Sequence, residues 1–353
     1  MRVIAWLGLA CGLALLLATG SSVIKTFLVP RYTRSRFTAL VAGAVYGFYH
    51  RLTARIDDLE RREQILAGAG PTFLLTLLAS WIACLFAGYA LVFWPLTARG
   101  FPAALRESGS SLFTLGFAPP AGPVPAAVVF VAAASGLAVM ALLIAYLPVL
   151  YAAFNRRETL VTMLEALAGA PPWGPELLAR QALIDNSGYL PRLYERWTEW
   201  AADISESHVN YRTLIYFRSP DPAASWLLSL LAVLDGAALH LALNPESAPA
   251  EARPLMRVGY LALRRLASSV GLPVPRDPSP DDLLVLTRED FDEAVEWLRQ
   301  AGWTLERSAE DAWLHFRGWR VNYEAAAHQL AYRLDLPPAL WSGPRRPGRP
   351  AAV

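Results

Sequence analysis

The chain has 353 residues, 54% of them hydrophobic and only 18% charged, with a mean hydropathy of +0.30 and a net charge of +2. Soluble domains carry about a quarter charged residues, so this composition argues against a purely soluble enzyme and against a disordered scaffold, and the small net charge argues against a nucleic-acid binder. Two cysteines, Cys11 and Cys84, both inside apolar runs, build neither a disulfide framework nor a cysteine-rich metal site.

The deficit of charge lies in the first 151 residues, which read as the membrane part of an all-α membrane protein. Three stretches, 3–24, 71–96 and 124–151, reach the roughly 20 apolar residues that a crossing needs. The first also matches a signal peptide in outline: Arg2 gives a short basic region, and Ala18-Thr19-Gly20 gives small residues for cleavage. Between the first two spans, residues 37–49 form a shorter apolar run, interrupted by Gly43 and Gly47, whose length suits an interfacial helix. The charged stretch 51–64 reads as its continuation along the surface.

Arginine placement orients the spans. Lys25, Arg31, Arg34, Arg36, Arg51, Arg55, Arg61 and Arg62 lie between the first and second; only Arg99 and Arg106 lie between the second and third; Arg156 and Arg157 follow the third. The positive-inside rule puts the amino terminus outside, residues 25–70 inside, 97–123 outside, and everything after 155 in the cytoplasm. Export of 25–70 behind a cleaved leader breaks this bias, which favours a retained first span. The expected residence is the inner (cytoplasmic) membrane, crossed several times.

Between the second and third spans, Pro102 suits the first turn of a helix running to about residue 113. Such a helix, entering from the outer face, points its negative carboxyl end toward the membrane centre, where it favours a cation. Residues 114–118 then return outward, and non-helical backbone at that depth must be buried in protein or line water.

Span, short helix, Thr-x-Gly-aromatic and span together resemble the pore-loop potassium channel-like proteins with two transmembrane helices. Thr114, Leu115, Gly116 and Phe117 fall where such filters carry Thr-Val-Gly-Tyr. The likeness extends over about residues 60–340 to a bacterial branch with a large helical carboxyl-terminal region. It is carried by Gly70-Pro71, by 144–150, by Arg156-Arg157-Glu158 and by 168–172. Glu206-Ser207-His208, Phe217-Arg218-Ser219 and Ser225-Trp226-Leu227 continue it. The resemblance implies a selectivity filter at Thr114, Leu115, Gly116, Phe117 and Ala118, a monovalent cation, potassium, as the permeant partner, and a homotetramer in the lipid bilayer. Ala118 replaces the second filter glycine, and Pro119-Pro120 follow it. If Ala118 must be left-handed, the strain is roughly 1–2 kcal/mol per chain, and the filter either stops one layer short or widens at its outer end.

Glu107 in the pore helix reads either as a ring of four charges behind the filter or as a surface partner of Arg106 or Arg99. Gly136 and Pro148 in the third span read as gating hinge and bend, or as close packing and a structural kink.

Beyond residue 155 the pattern becomes that of a helical cytoplasmic domain. Trp197, Trp200, Ile204 and His208 recur at helical spacing, as do Trp313, Phe316, Tyr323 and Leu330. The apolar run 223–243 contains Asp235, at an insertion penalty of about 2.5–3.5 kcal/mol, and so reads as a buried helix rather than a fourth span. His208, Asp235 and His240 read as structural partners in that core. The expected domains are 1–29 (first span), 30–70 (basic cytoplasmic or interfacial segment), 71–154 (pore domain), 155–342 (cytoplasmic domain) and 343–353 (disordered tail).

No catalytic constellation, metal motif or cofactor loop is present in the sequence, so the protein is not expected to be an enzyme. The sequence reads as a pore-forming subunit of a cation channel, with a non-conducting membrane sensor or assembly protein as the rival account.

Overall fold

The computed structural model describes residues 2–27, 35–97, 99–221 and 223–342, which form helices joined by turns and loops, with no strand among them. Two compact units divide the chain: residues 1–55 with 68–151, and residues 56–67 with 152–353. The expected tail at 343–353 lies outside the described residues.

The first unit contains α1 (Arg2–Phe27), α2 (Arg36–Thr53), α4 (Ala69–Phe93), α5 (Phe101–Leu112) and the first part of α6 (Pro123–Ala168). Helices α1, α4 and α6 are long and apolar enough to cross a membrane, as is the helix Trp226–Leu243 of the second unit, which is wholly buried in protein. Without water between helices, close packing through small residues brings their backbones together. Gly12 shows this directly: a β-carbon there would lie 2.7 Å from the Gly88 carbonyl oxygen, and one at Gly88 would lie 2.7 Å from Leu16 Cδ2. Farther along the same helix pair, the Trp81 indole, 1% exposed, donates to Ser22 Oγ at 3.1 Å. Helix α1 is therefore an integral part of this unit.

Helix α2 begins where Ser35 caps it by accepting the Thr38 N–H at 3.2 Å, and it runs past its apolar stretch to Thr53. The expected surface continuation through 51–64 is broken. The helix ends at Thr53, and Asp58 starts the next, α3 (Leu59–Ala67), by accepting the Arg61 N–H at 3.2 Å. Residues 56–67 then belong to the second unit, so the segment 30–70 is not one body.

Helix α6 runs for 46 residues without interruption and carries Pro148 inside it. Proline there removes the donor that the Ile144 carbonyl would use, and Ile144 and Pro148 both lie on an exposed face of the helix.

The second unit adds α7 (Gly174–Leu183), α8 (Leu190–Asn210), α9 (Trp226–Leu243), α10 (Ala252–Ser269), α11 (Arg288–Gln300), α12 (Ala309–Arg320) and α13 (Glu324–Arg333). Its axis is α9, in which every residue is buried. This helix is apolar all round because protein surrounds it. Gly174 at the start of α7 lets the backbones meet, since a β-carbon there would come within 2.6 Å of Asp235 Cβ. Around α9 pack the apolar faces of amphipathic helices, including the buried stripe Trp197, Trp200, Ile204 and His208 of α8. Local chemistry sets the boundaries: Thr287 and Asp290 form a reciprocal capping box on α11, and Ser308 caps α12.

Candidate functional site

Helix α5 starts at Gly100, whose φ of +79° turns the chain, with Pro102 in its first turn. Three serines missed in the sequence position it. Ser108 Oγ donates to the Phe86 carbonyl of α4 at 2.7 Å, and Ser111 Oγ donates to the Glu107 carbonyl at 2.6 Å. Ser110 is the anchor of the loop that follows. Its carbonyl accepts the N–H groups of Leu115 (2.8 Å) and Gly116 (3.3 Å), while its hydroxyl accepts the Ala118 N–H at 3.0 Å. Serine hydroxyls often close onto neighbouring backbone, but nothing in their sequence spacing singles out Ser110.

This pattern is a Schellman-type helix end. Thr114 donates to the Ser111 carbonyl at 3.0 Å, Leu115 to that of Ser110, and Thr114 occupies the left-handed position with φ +55°. Glycine normally takes that place. A β-branched residue there is an outlier, held against a left-handed penalty of about 1–2 kcal/mol. Gly116, at φ +73°, is the second left-handed residue of the loop. Ala118 is not left-handed, so the strain expected at Ala118 falls on Thr114 instead. The reason is local: the turn that ends α5 needs positive φ at its first residue outside the helix, four positions before Ala118.

The loop leaves Phe113, Leu115 and Phe117 at 51%, 63% and 54% exposure. Three alternate apolar side chains in one short segment, all more than half uncovered within the single chain, form a surface of the kind that a partner or lipid covers.

No protein-family model, no curated protein and no solved structure matches the chain.

Glu107 is buried, with one carboxylate oxygen lacking a hydrogen-bond partner among the described residues. Thr97 and the Arg99 charge lie near it, so of the two arginines Arg99 is the neighbour.

Gly136 lies where α6 meets the end of α5. A β-carbon there would stand 2.2 Å from the Leu112 carbonyl oxygen, which gives this glycine a packing role. Beside it, Ser135 Oγ donates to the Tyr89 hydroxyl at 3.0 Å, and that hydroxyl donates to the Val131 carbonyl at 3.3 Å. These bonds hold α4 to α6 within apolar surroundings.

The second unit contains two buried polar centres. Arg157, fully buried, donates to Glu158 at 2.6 Å and to the carbonyls of Leu214 and Phe217, both at 2.8 Å, and lies 3.1 Å from His208 Nε2. Because arginine only donates, His208 must accept through Nε2 and be neutral. Burial, and then the Arg157 charge, hold the His208 imidazole well below its ordinary range. The other centre joins Asp235 to Arg320 and to the Tyr323 hydroxyl at 2.7 Å, with Arg320 also donating to Glu324 at 2.6 Å. Burial, opposed by Arg320, raises Asp235 to about 6. His240 lies 3.2 Å from the Tyr194 hydroxyl. Among the described residues no group of histidine, cysteine and carboxylate side chains has metal-ligand geometry.

Proposed function

We propose that the chain is the pore-forming subunit of a tetrameric, potassium-like cation channel, with its carboxyl-terminal helices in the cytoplasm and coupled to gating. The observation that carries this reading is the strained turn at Thr114. Backbone strain persists where the surroundings over-determine it, and such positions cluster at functional sites. Here the turn stands at the negative end of α5, between two helices long enough to cross a membrane. Carbonyl oxygens presented at such an end replace the hydration shell of a cation.

One such loop cannot surround an axis, so several copies are required, and four give the symmetry of the resembled family. The exposed Phe113, Leu115 and Phe117 supply apolar surface for contacts between copies. The compartment assignment is supported by α3, which lies between two membrane segments in sequence yet packs with residues 152–342. Packing of the two parts in one unit supports their lying on one side of the bilayer, in keeping with the arginine bias.

A second reading, a non-conducting sensor or assembly protein, is favoured by Ala118-Pro119-Pro120, which takes the place of the outer half of a potassium filter. The test is potassium flux into liposomes at matched protein incorporation, together with the native mass of the purified protein. The channel reading expects a tetramer and a flux abolished by Gly116→Ala; a sensor gives no flux from wild type.

A further inference from the structure

Two separate parts of the chain leave the first unit and enter the second, and both end on adjacent residues. The first is α3. Its Glu63, 5% exposed, accepts Arg218 Nη1 on both oxygens, at 3.0 and 2.9 Å. Arg218 also donates to the carbonyls of Leu334 and Asp335, and the Asp335 carboxylate pairs with Arg62 of α3. Leu66 is buried on the same helix. The second part is the base of α6, where Arg157 donates to the Phe217 carbonyl at 2.8 Å and the Phe154 ring meets the Phe217 ring at 5.9 Å between centroids. Residue 217 therefore holds the helix that continues from the last apolar segment. Residue 218 holds the helix that leads, one residue after Ala67, into α4.

We propose that Phe217-Arg218 is a coupling joint, with α3 as a strap clamped by the Glu63–Arg218–Asp335–Arg62 ion cluster, so that a displacement at 217–218 acts on the α4 and α6 ends together. The proposal rests on the channel reading and assigns its regulation to a definite place. The chemistry suits a latch. All four charged groups balance within the cluster, so the assembled clamp leaves no net charge buried. Removal of one partner leaves another buried charge without compensation, which is strongly destabilising.

The test uses the full-length protein in liposomes, with Glu63→Gln, Arg218→Gln and the charge-retaining Arg218→Lys. Hydrogen exchange of amides 59–67 reads the strap, exchange of amides in α9 reads the integrity of the domain, and potassium flux reads the gate. Expected for Glu63→Gln and Arg218→Gln is strap exchange faster by more than about a hundredfold, unchanged α9 protection, and a flux altered in the same direction by both, with Arg218→Lys closer to wild type. Should Arg218→Gln also lose α9 protection, Glu63→Gln, which alters only the strap side, decides the matter. Rapid strap exchange already in wild type, or a released strap with unaltered flux, would overturn the coupling joint while leaving the channel reading in place. Absence of flux from wild type would overturn the channel reading, and the gating role of the joint with it.

Discussion

Gly136 and the carbonyl oxygen of Leu112 approach so closely that a β-carbon at 136 would stand 2.2 Å from that oxygen. The end of the short helix α5 and the long helix α6 are thus fitted backbone to backbone. Gly136→Ala must push them apart, and overpacking of this kind costs about 1–3 kcal/mol. The expected result is a lower thermal midpoint in detergent, read by size-exclusion after heating. Gly43→Ala, whose added methyl meets no atom within 4 Å, should leave the midpoint unchanged or raise it slightly.

Thr114→Gly removes a β-branched residue from the left-handed position and should stabilise the protein by about 1 kcal/mol. Ala118→Gly should give no such gain, because Ala118 is not left-handed. Ser110→Ala keeps the helix-end carbonyl but removes the acceptor for the Ala118 N–H, and should lower stability by about 1 kcal/mol. The same thermal assay separates the three. A gain at Ala118 with none at Thr114 would reverse the assignment of strain.

Much of the architecture was legible in the sequence because it rests on local patterns. Apolar run lengths locate α1, α4 and α6, the aromatic stripe of α8 marks its buried face, and Asp235 marks α9 as a protein-buried helix whose acid pairs with Arg320. The strap was not legible. Glu63 lies 155 residues from Arg218 and Arg218 lies 117 from Asp335, so no spacing announces their meeting, and a charged stretch such as 51–64 reads as a solvated surface. The site was legible in part. The family likeness drew attention to residues 114–118, but the strain moved from Ala118 to Thr114 because a Schellman turn normally carries glycine, and a threonine in its place leaves no mark in sequence.

Acid should weaken the second unit. His208, His240 and His328 all have imidazoles held below their ordinary range, chiefly by burial, His240 down to about 4. Above about pH 6.5 their stability contribution is fully present. As pH falls below that value the unfolded chain takes up protons that the folded chain refuses, at up to about 1.4 kcal/mol per pH unit for each group. Asp235, raised to about 6, acts in the opposite sense, binding a proton in the folded state between about 3.8 and 6. Between pH 7.5 and 6 the three histidines together outweigh Asp235, which begins to bind its proton in the folded state toward pH 6. Tryptophan-detected unfolding should show a lower midpoint at pH 6 than at pH 7.5, with a shallower slope in His208→Gln, which keeps an acceptor for Arg157.

Arg320→Met tests the buried centre on α9. It leaves Asp235 and Glu324 buried without their cation, and breaking a buried pair from one side costs about 3–5 kcal/mol. The expected outcome is loss of protection of α9 amides to hydrogen exchange in the full-length protein. Restoration in the triple variant Asp235→Asn, Glu324→Gln, Arg320→Met would attribute the effect to uncompensated charge. Failure to restore would attribute it to the packing of the Arg320 side chain.

The most direct test of the central claim is the reversal potential across a planar bilayer holding the purified protein, with potassium on one side and sodium on the other. A cation path lined by residues 114–118 predicts a current whose reversal potential favours potassium, and its disappearance in Gly116→Ala. Currents that are identical in wild type and Gly116→Ala, or no current from correctly folded wild-type protein, would contradict it.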